Sequence, residues 1–260
     1  MEVHHHTHHP KKWKEYLIEG LMIFIAVSLG YAAENIRHHF TEKHKAISSV
    51  QNLYKDLNND SVIFSNILIV RSKQDSCFQI ISHLYDEKKI EHEIPTLYAA
   101  QTFFSMRVMP NTNTMALEHI KNSDALNYIE DENLKQKIQA YSSIATSLKI
   151  REQREYNFID KYMDPLTITW FEYNFYNSIS NEDSFEIKGD KIIVKTKIPD
   201  GLKLIKQNAF DWNNYFSILG MLSTIRKSTD RSYISPSQAE CLSLLGQVRA
   251  YLKENNALIE

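Results

Sequence analysis

Residues 47–85, ISSVQNLYKDLNNDSVIFSNILIVRSKQDSCFQIISHLY, decide the fold of this chain. Ile47, Val50, Leu53, Tyr54, Leu57, Val62, Ile63 and Phe64 recur at three-to-four spacing with polar residues between them. Ile67, Val70, Phe78, Ile81, Leu84 and Tyr85 extend the pattern. That period belongs to an α-helix with one buried face. No Pro or Gly stands between Tyr31 and Pro95, so nothing in the backbone chemistry stops the helix over that distance. The spacing predicts one continuous helix, or two with a break near Asn58-Asn59-Asp60.

Upstream, the same helical pattern runs into Tyr16 to Ala33, YLIEGLMIFIAVSLGYAA, an almost wholly apolar run behind Lys11, Lys12 and Lys14. At 1.5 Å per residue it is just long enough to cross a bilayer. Its one charge, Glu19, lies within a turn of its start, where a carboxylate can reach the headgroups. Trp13 and Tyr16 at one end and Tyr31 at the other fit an aromatic belt. Glu19, Met22, Ala26, Gly30 and Ala33 share a helical face; the plainer reading is a simple anchor in which Ala and Gly are incidental, and the alternative is a face whose small residues let a second helix approach. A cleavable signal peptide is the competing reading, with Gly30-Tyr31-Ala32 as its cleavage site. The continuation of the helix into Glu34-Asn35-Ile36-Arg37 favours an uncleaved anchor. Lys and Arg are balanced across the segment, three before it and Arg37, Lys43 and Lys45 after it. The shorter, closer amino-terminal side is expected in the cytoplasm and the carboxyl-terminal part outside.

Beyond the long helix the pattern continues through shorter elements. Pro95 starts a helix to about Met106, and Met109 to Thr114 forms a loop whose Asn and Thr can cap the next helix. Met115 to Asn122 is that short helix. A long one runs from Asn133 towards Asp160 with Leu134, Ile138, Tyr141, Ile144, Leu148 and Ile159 facing inwards, interrupted at Pro165. SFEIKGDKIIVKTKI, about residues 184–198, alternates apolar and polar residues around Gly189-Asp190 and reads as a β-hairpin. Two helices, Asp211 to Arg226 and Pro236 to about Asn255, close the chain. With only six Gly and six Pro in 260 residues, long helices are favoured over a sandwich of short strands. The expected organisation is a His-rich basic tail (1–15), a transmembrane helix (16–34) and an all-α extramembrane bundle with a hairpin insertion (35–260).

A net charge of -2 without a Lys/Arg stripe argues against nucleic acid as a partner. Cys77 and Cys241 sit on apolar helical faces and are read as two small core residues, with a disulfide as the alternative in an oxidising compartment. His4, His5, His6, His8 and His9 are candidate metal ligands, because clustered imidazoles bind Zn, Ni or Cu; the plainer reading is a solvated tail. His38, His39 and His44 lack a partner set that would complete a site. No GxSxG, HExxH or glycine-rich phosphate loop occurs, so neither an enzymatic activity nor a cofactor is expected. Arg151, Glu152, Arg154 and Glu155 read as a solvated charged face. Trp170, Phe171, Tyr173, Phe175 and Tyr176 form an aromatic cluster, read as core. Trp170, Phe171 and Tyr173, with Glu19, Ala26 and Gly30, are the candidate interaction residues.

The opening HHHTHHPKKWKEYLIEGLMIFIAVSLGYAAENIRHH resembles the start of a family of single-span, His-rich membrane proteins of Bacteroidota, a domain of unknown function. TMALEHIKNSDALNYIEDENLKQKIQAYSSI, Thr114 to Ile144, is similar to a helix-turn-helix element in these and related families. The resemblance implies a bacterial envelope location and a helical extramembrane domain, and brings no activity with it; with the span and orientation above, the inner membrane is the expected place, with the carboxyl-terminal domain in the periplasm. The function expected is an interaction or accessory subunit of an envelope complex, with the bilayer and other envelope proteins or a second copy as partners. The alternative is a periplasmic small-ligand or sensory module that signals through a partner.

Overall fold

A computed structural model describes residues 13–180, 182–205 and 209–258. Helix α1 runs unbroken over Trp13–Asp86. Asn58-Asn59-Asp60 does not break it, because Asp60 faces inwards and is held there by bonds from other elements. No residue of α1 before Ala46 is buried, whereas Val50, Leu53, Leu57, Phe64, Cys77 and Ile81 lie in the interior. The helix therefore has two parts: a fully exposed apolar segment, long and apolar enough to cross a membrane, and a core-forming part.

The end of α1 is set by Lys88, whose φ of 56° reverses the chain. Lys89 N–H donates to Leu84 O at 2.9 Å and Lys88 N–H to Tyr85 O at 3.0 Å, closing the last carbonyls of the helix. Helix α2 (Ile94–Ser105) returns along α1, and α3 (Met115–Asn122) comes after a loop. That loop is pinned to α1 by two aspartates one turn apart. Asp60 accepts from Asn113 N–H (3.1 Å) and the Tyr141 hydroxyl (3.1 Å), and Asp56 from the Asn113 side chain (2.8 Å).

Four of the remaining helices join end to end into two long rods. Helix α4 (Glu132–Phe158), capped by Asp131, passes through a π-turn at 159–163 into α5 (Asp164–Trp170). Helix α6 (Tyr173–Ile179) and strands β1 (Phe185–Lys188) and β2 (Lys191–Val194) come next. Helix α7 (Trp212–Thr229), capped by Asp211, passes through a second π-turn at 230–234 into α8 (Ser235–Glu254). Pro165 and Pro236 thus do not end their helices. A proline lacks the N–H and crowds the carbonyl four residues back, and a π-turn just before it opens the ladder there. The architecture is all-α with one hairpin, as the sequence patterns imply.

Two apolar cores are strung along α1. One joins Ala46 to Phe64 with α3, α4 and α8. The other joins Cys77 to Leu84 with α2, α5, α6, the start of α7 and the inner face of the hairpin. Cys241 lies in the first and Cys77 in the second; both are unpaired buried thiols, pushed up to about 11 and about 12 by burial. A polar layer separates the cores. Arg71 donates to both oxygens of Glu155 (2.7 and 3.0 Å), and Arg226 donates to the same carboxylate at 3.0 Å. Arg226 also donates to Phe104 O and, at 2.9 Å, to Met106 O, while Gln74 donates to Phe103 O and Met106 O. These cations and amides meet the carbonyl end of α2, where the helix dipole is negative. Glu155 is 0% exposed, which corrects its reading as part of a solvated face.

Candidate functional site

A cleft lies at the far end of α1 from the apolar segment, between α1, the first turn of α2 and β2. Its volume is about 560 Å³. Ile80 and Leu84, nearly buried on α1, form an apolar floor. Gln79 and His83 stand on its α1 rim, with His83 Nε2 3.3 Å from Glu87. Glu93 and Thr96 bound it at the start of α2, and Thr96 donates to the Glu93 carboxylate at 2.8 Å. The opposite wall is Asp190 to Ile193, the turn and first three residues of β2.

The hairpin that builds this wall is encoded locally. Gly189, at φ 59°, occupies the first corner of a two-residue turn, where a side chain would be strained. Phe185 pairs with Val194, Glu186 with Ile193, Ile187 with Ile192 and Lys188 with Lys191. Phe185, Ile187, Ile192 and Val194 pack on the second core, and Phe185 meets Phe103 edge-on at 6.1 Å. Ile193 is on the outer face, 46% exposed.

A second hollow of about 400 Å³ lies near the start of the buried part of α1, with Ser49, His119 and Asp124 among its walls. Ser49 Oγ and His119 Nδ1 are 3.4 Å apart, but the Ser49 hydroxyl donates to Lys45 O at 3.0 Å. Its proton is therefore committed to the backbone, and the pair ties α3 to α1 in place of forming an activated nucleophile.

The residues singled out from sequence fall in separate places. Glu19, Ala26 and Gly30 lie on the exposed apolar part of α1. Phe171 is 2% exposed, ring-to-ring with Tyr98 at 4.8 Å, and Trp170 is half-buried against Phe210. Tyr173, 73% exposed, is the most accessible of the three to a partner. His4, His5, His6, His8 and His9 lie outside the described residues. Among the described residues no group of three His, Cys, Asp or Glu side chains is placed to hold a metal. His39 rests against the Tyr128 ring at 5.8 Å.

Sequence reasoning overlooked the cleft and the polar layer. The hairpin's packing partners carry no local signal. Asp60, Arg71 and Gln74, however, sit at the same three-and-four spacing as Leu57, Phe64 and Cys77, so the helical period marks them as inward-facing once polar residues are admitted to the pattern. No family model matches the chain, and neither a curated protein nor a solved structure matches it.

Proposed function

We propose that this chain is a non-enzymatic, membrane-anchored interaction protein, an accessory subunit of a bacterial envelope complex. In this reading Tyr16 to Ala33 crosses the inner membrane and the bundle stands in the periplasm. The observation that carries it is the continuity of α1: one unbroken helix joins the exposed apolar segment to both cores. A helix without a hinge transmits position. From Ala33 to Asp86 it would hold the far end of the bundle about 80 Å from the segment's end. The polar layer that locks α1 to α2, α4 and α7 supports the same role, because it fixes the bundle's orientation on the rod.

The experiment is extraction of the full chain from native membranes in mild detergent, through a carboxyl-terminal tag, followed by mass spectrometry of the intact assembly. A fixed complement of envelope proteins is the expected result. A lone chain overturns the accessory-subunit reading. Topology is tested separately by reporter fusions at each end, with the carboxyl terminus expected outside the cytoplasm.

The alternative, a small-ligand module signalling through a partner, draws on the distal cleft, whose volume lies in the range of ligand sites. Its strand wall favours a different occupant.

A further inference from the structure

We propose that the outer edge of β2 is a docking site for an extended polypeptide segment of a partner protein, which adds a third strand to the hairpin inside the distal cleft. The proposal rests on the reading of this chain as an interaction protein and names the chemistry of one contact.

The wall of the cleft identifies the surface. Lys191, Ile192 and Ile193 all line it, although successive strand side chains point to opposite faces. What consecutive strand residues share is the backbone edge. No residue of β1 lines the cleft, so the edge concerned is the outer one of β2. The turn then fixes which groups point outwards. A two-residue turn makes Lys188 and Lys191 a hydrogen-bonded pair, so Ile187 and Ile192 form the next, non-bonded pair, and Phe185 and Val194 another. The N–H and C=O groups of Ile192 and Val194 consequently face away from β1. Among the described residues none of them is hydrogen-bonded to another part of the chain.

This edge asks for an occupant with donors and acceptors at alternating positions along a line, which is a peptide backbone in extended form. The strand is held ready: Ile192 and Val194 are anchored in the second core, so little ordering is left to the binding step. Opposite the edge, Ile80 and Leu84 offer an apolar floor to every second side chain of the incoming strand. Both signs of charge stand at the rim, in Lys191 and in Glu93 and Asp190, which suits a segment of low net charge. The shortness of β2, with Lys191 at its start and Lys195 just past its end, keeps the edge from open-ended pairing. The helical wall then restricts entry to a segment of a few residues.

The test uses the full chain in lipid nanodiscs and a panel of blocked hexapeptides alternating Thr with Val, Ile, Leu, Phe or Tyr. Saturable binding of at least one peptide is expected. That peptide is then made in two forms, N-methylated on its odd or on its even amides. One form is expected to bind at least tenfold more weakly and the other as before, because only one set of amides faces β2. No binding by the panel, or equal effects of the two methylations, overturns the proposal. Two protein variants complete it. Ile192→Pro removes an outward N–H without touching a ladder bond, and Gln79→Trp fills the cleft from its α1 rim. Both are expected to reduce binding tenfold or more with unchanged helicity. Unchanged binding by a folded Gln79→Trp chain also overturns the proposal. Peptide binding by a chain that extracts alone would retain this site and remove the envelope complex, so the two readings fail separately.

Discussion

Lys88 and Asn256 do the same work at two helix ends and are not equally suited to it. Each occupies the left-handed position after its helix, with φ of 56° and 52°, and each is followed by a bond from the next N–H to a carbonyl five residues back. Asn tolerates that conformation because its short side chain bonds locally; a Lys Cβ is crowded by the carbonyl there. Lys88→Gly is therefore expected to stabilise the bundle by about 0.5–1 kcal/mol, read as a rise in the urea midpoint without a change in slope. Asn256→Gly should change stability by a few tenths at most. Asp230 offers a second test at this scale. Burial pushes its carboxyl up to about 6, with the Arg71 guanidinium pulling the other way. Its Oδ1 and Arg71 Nε, 3.7 Å apart, both lack a hydrogen-bond partner among the described residues. A carboxyl raised in the folded state binds its proton more tightly there than in the unfolded chain. Its contribution is thus fully present below about 4, the ordinary range, and is lost as pH rises through about 6. Asp230→Asn should be more stable than the parent at pH 7.5, by on the order of 1–2 kcal/mol, with the gap narrowing as pH falls through about 6 and closing only below about 4. A gap independent of pH across this window would show that the ionised form is not disfavoured.

At the scale of elements, the junctions between helices hold more information than the helices. The apolar periodicity was enough to place α1, α4, α7 and α8, because burial of one face is written at every turn. It was not enough to join α4 to α5 or α7 to α8, since a proline inside a helical pattern reads as a stop. The two joints share a motif, Tyr162-Met163-Asp164-Pro165 and Tyr233-Ile234-Ser235-Pro236, each with its π-turn ahead of the proline. Both π-turns lie beside the polar layer, one following Glu155 by a turn and the other beginning at Asp230. The candidate site was half legible: alternation around Gly189-Asp190 marks the hairpin, but which wall it faces depends on α1 and α2, distant in sequence. The charge run at 151–155 misled for a related reason. Its charged residues differ in surroundings, and only tertiary structure shows that Glu155 points between Arg71 and Arg226. Replacing it leaves two buried guanidinium groups without their shared carboxylate. Glu155→Ala is expected to cost about 3–5 kcal/mol, measured by thermal or urea unfolding. If the variant loses less than about 1 kcal/mol, water replaces the carboxylate and the layer does not lock the four helices.

At the scale of the whole molecule, the apolar segment and the bundle share a helix but no packing. The segment that passes as a membrane span has none of its residues buried, and the first buried residue of α1 is Ala46. A helix that contributed to the core would bury a stripe at helical spacing, as residues 46–84 do. Cutting the chain before Glu34 should accordingly leave the bundle folded. The fragment 34–260 is expected to be soluble without detergent and to melt within about 2 °C of the full chain, since a loss of about 1 kcal/mol in a domain of this size moves the midpoint by about 2–4 °C. Ile36 and Phe40, exposed on the stretch between segment and bundle, would then face water, and Phe40→Ser should improve solubility without lowering the melting point. A fragment that melts many degrees lower, or unfolds without cooperativity, would mean that the apolar helix folds back on the bundle. In that event the proposed projection of the rod from a bilayer would fall, and with it the proposed separation of about 80 Å between the segment and the distal end.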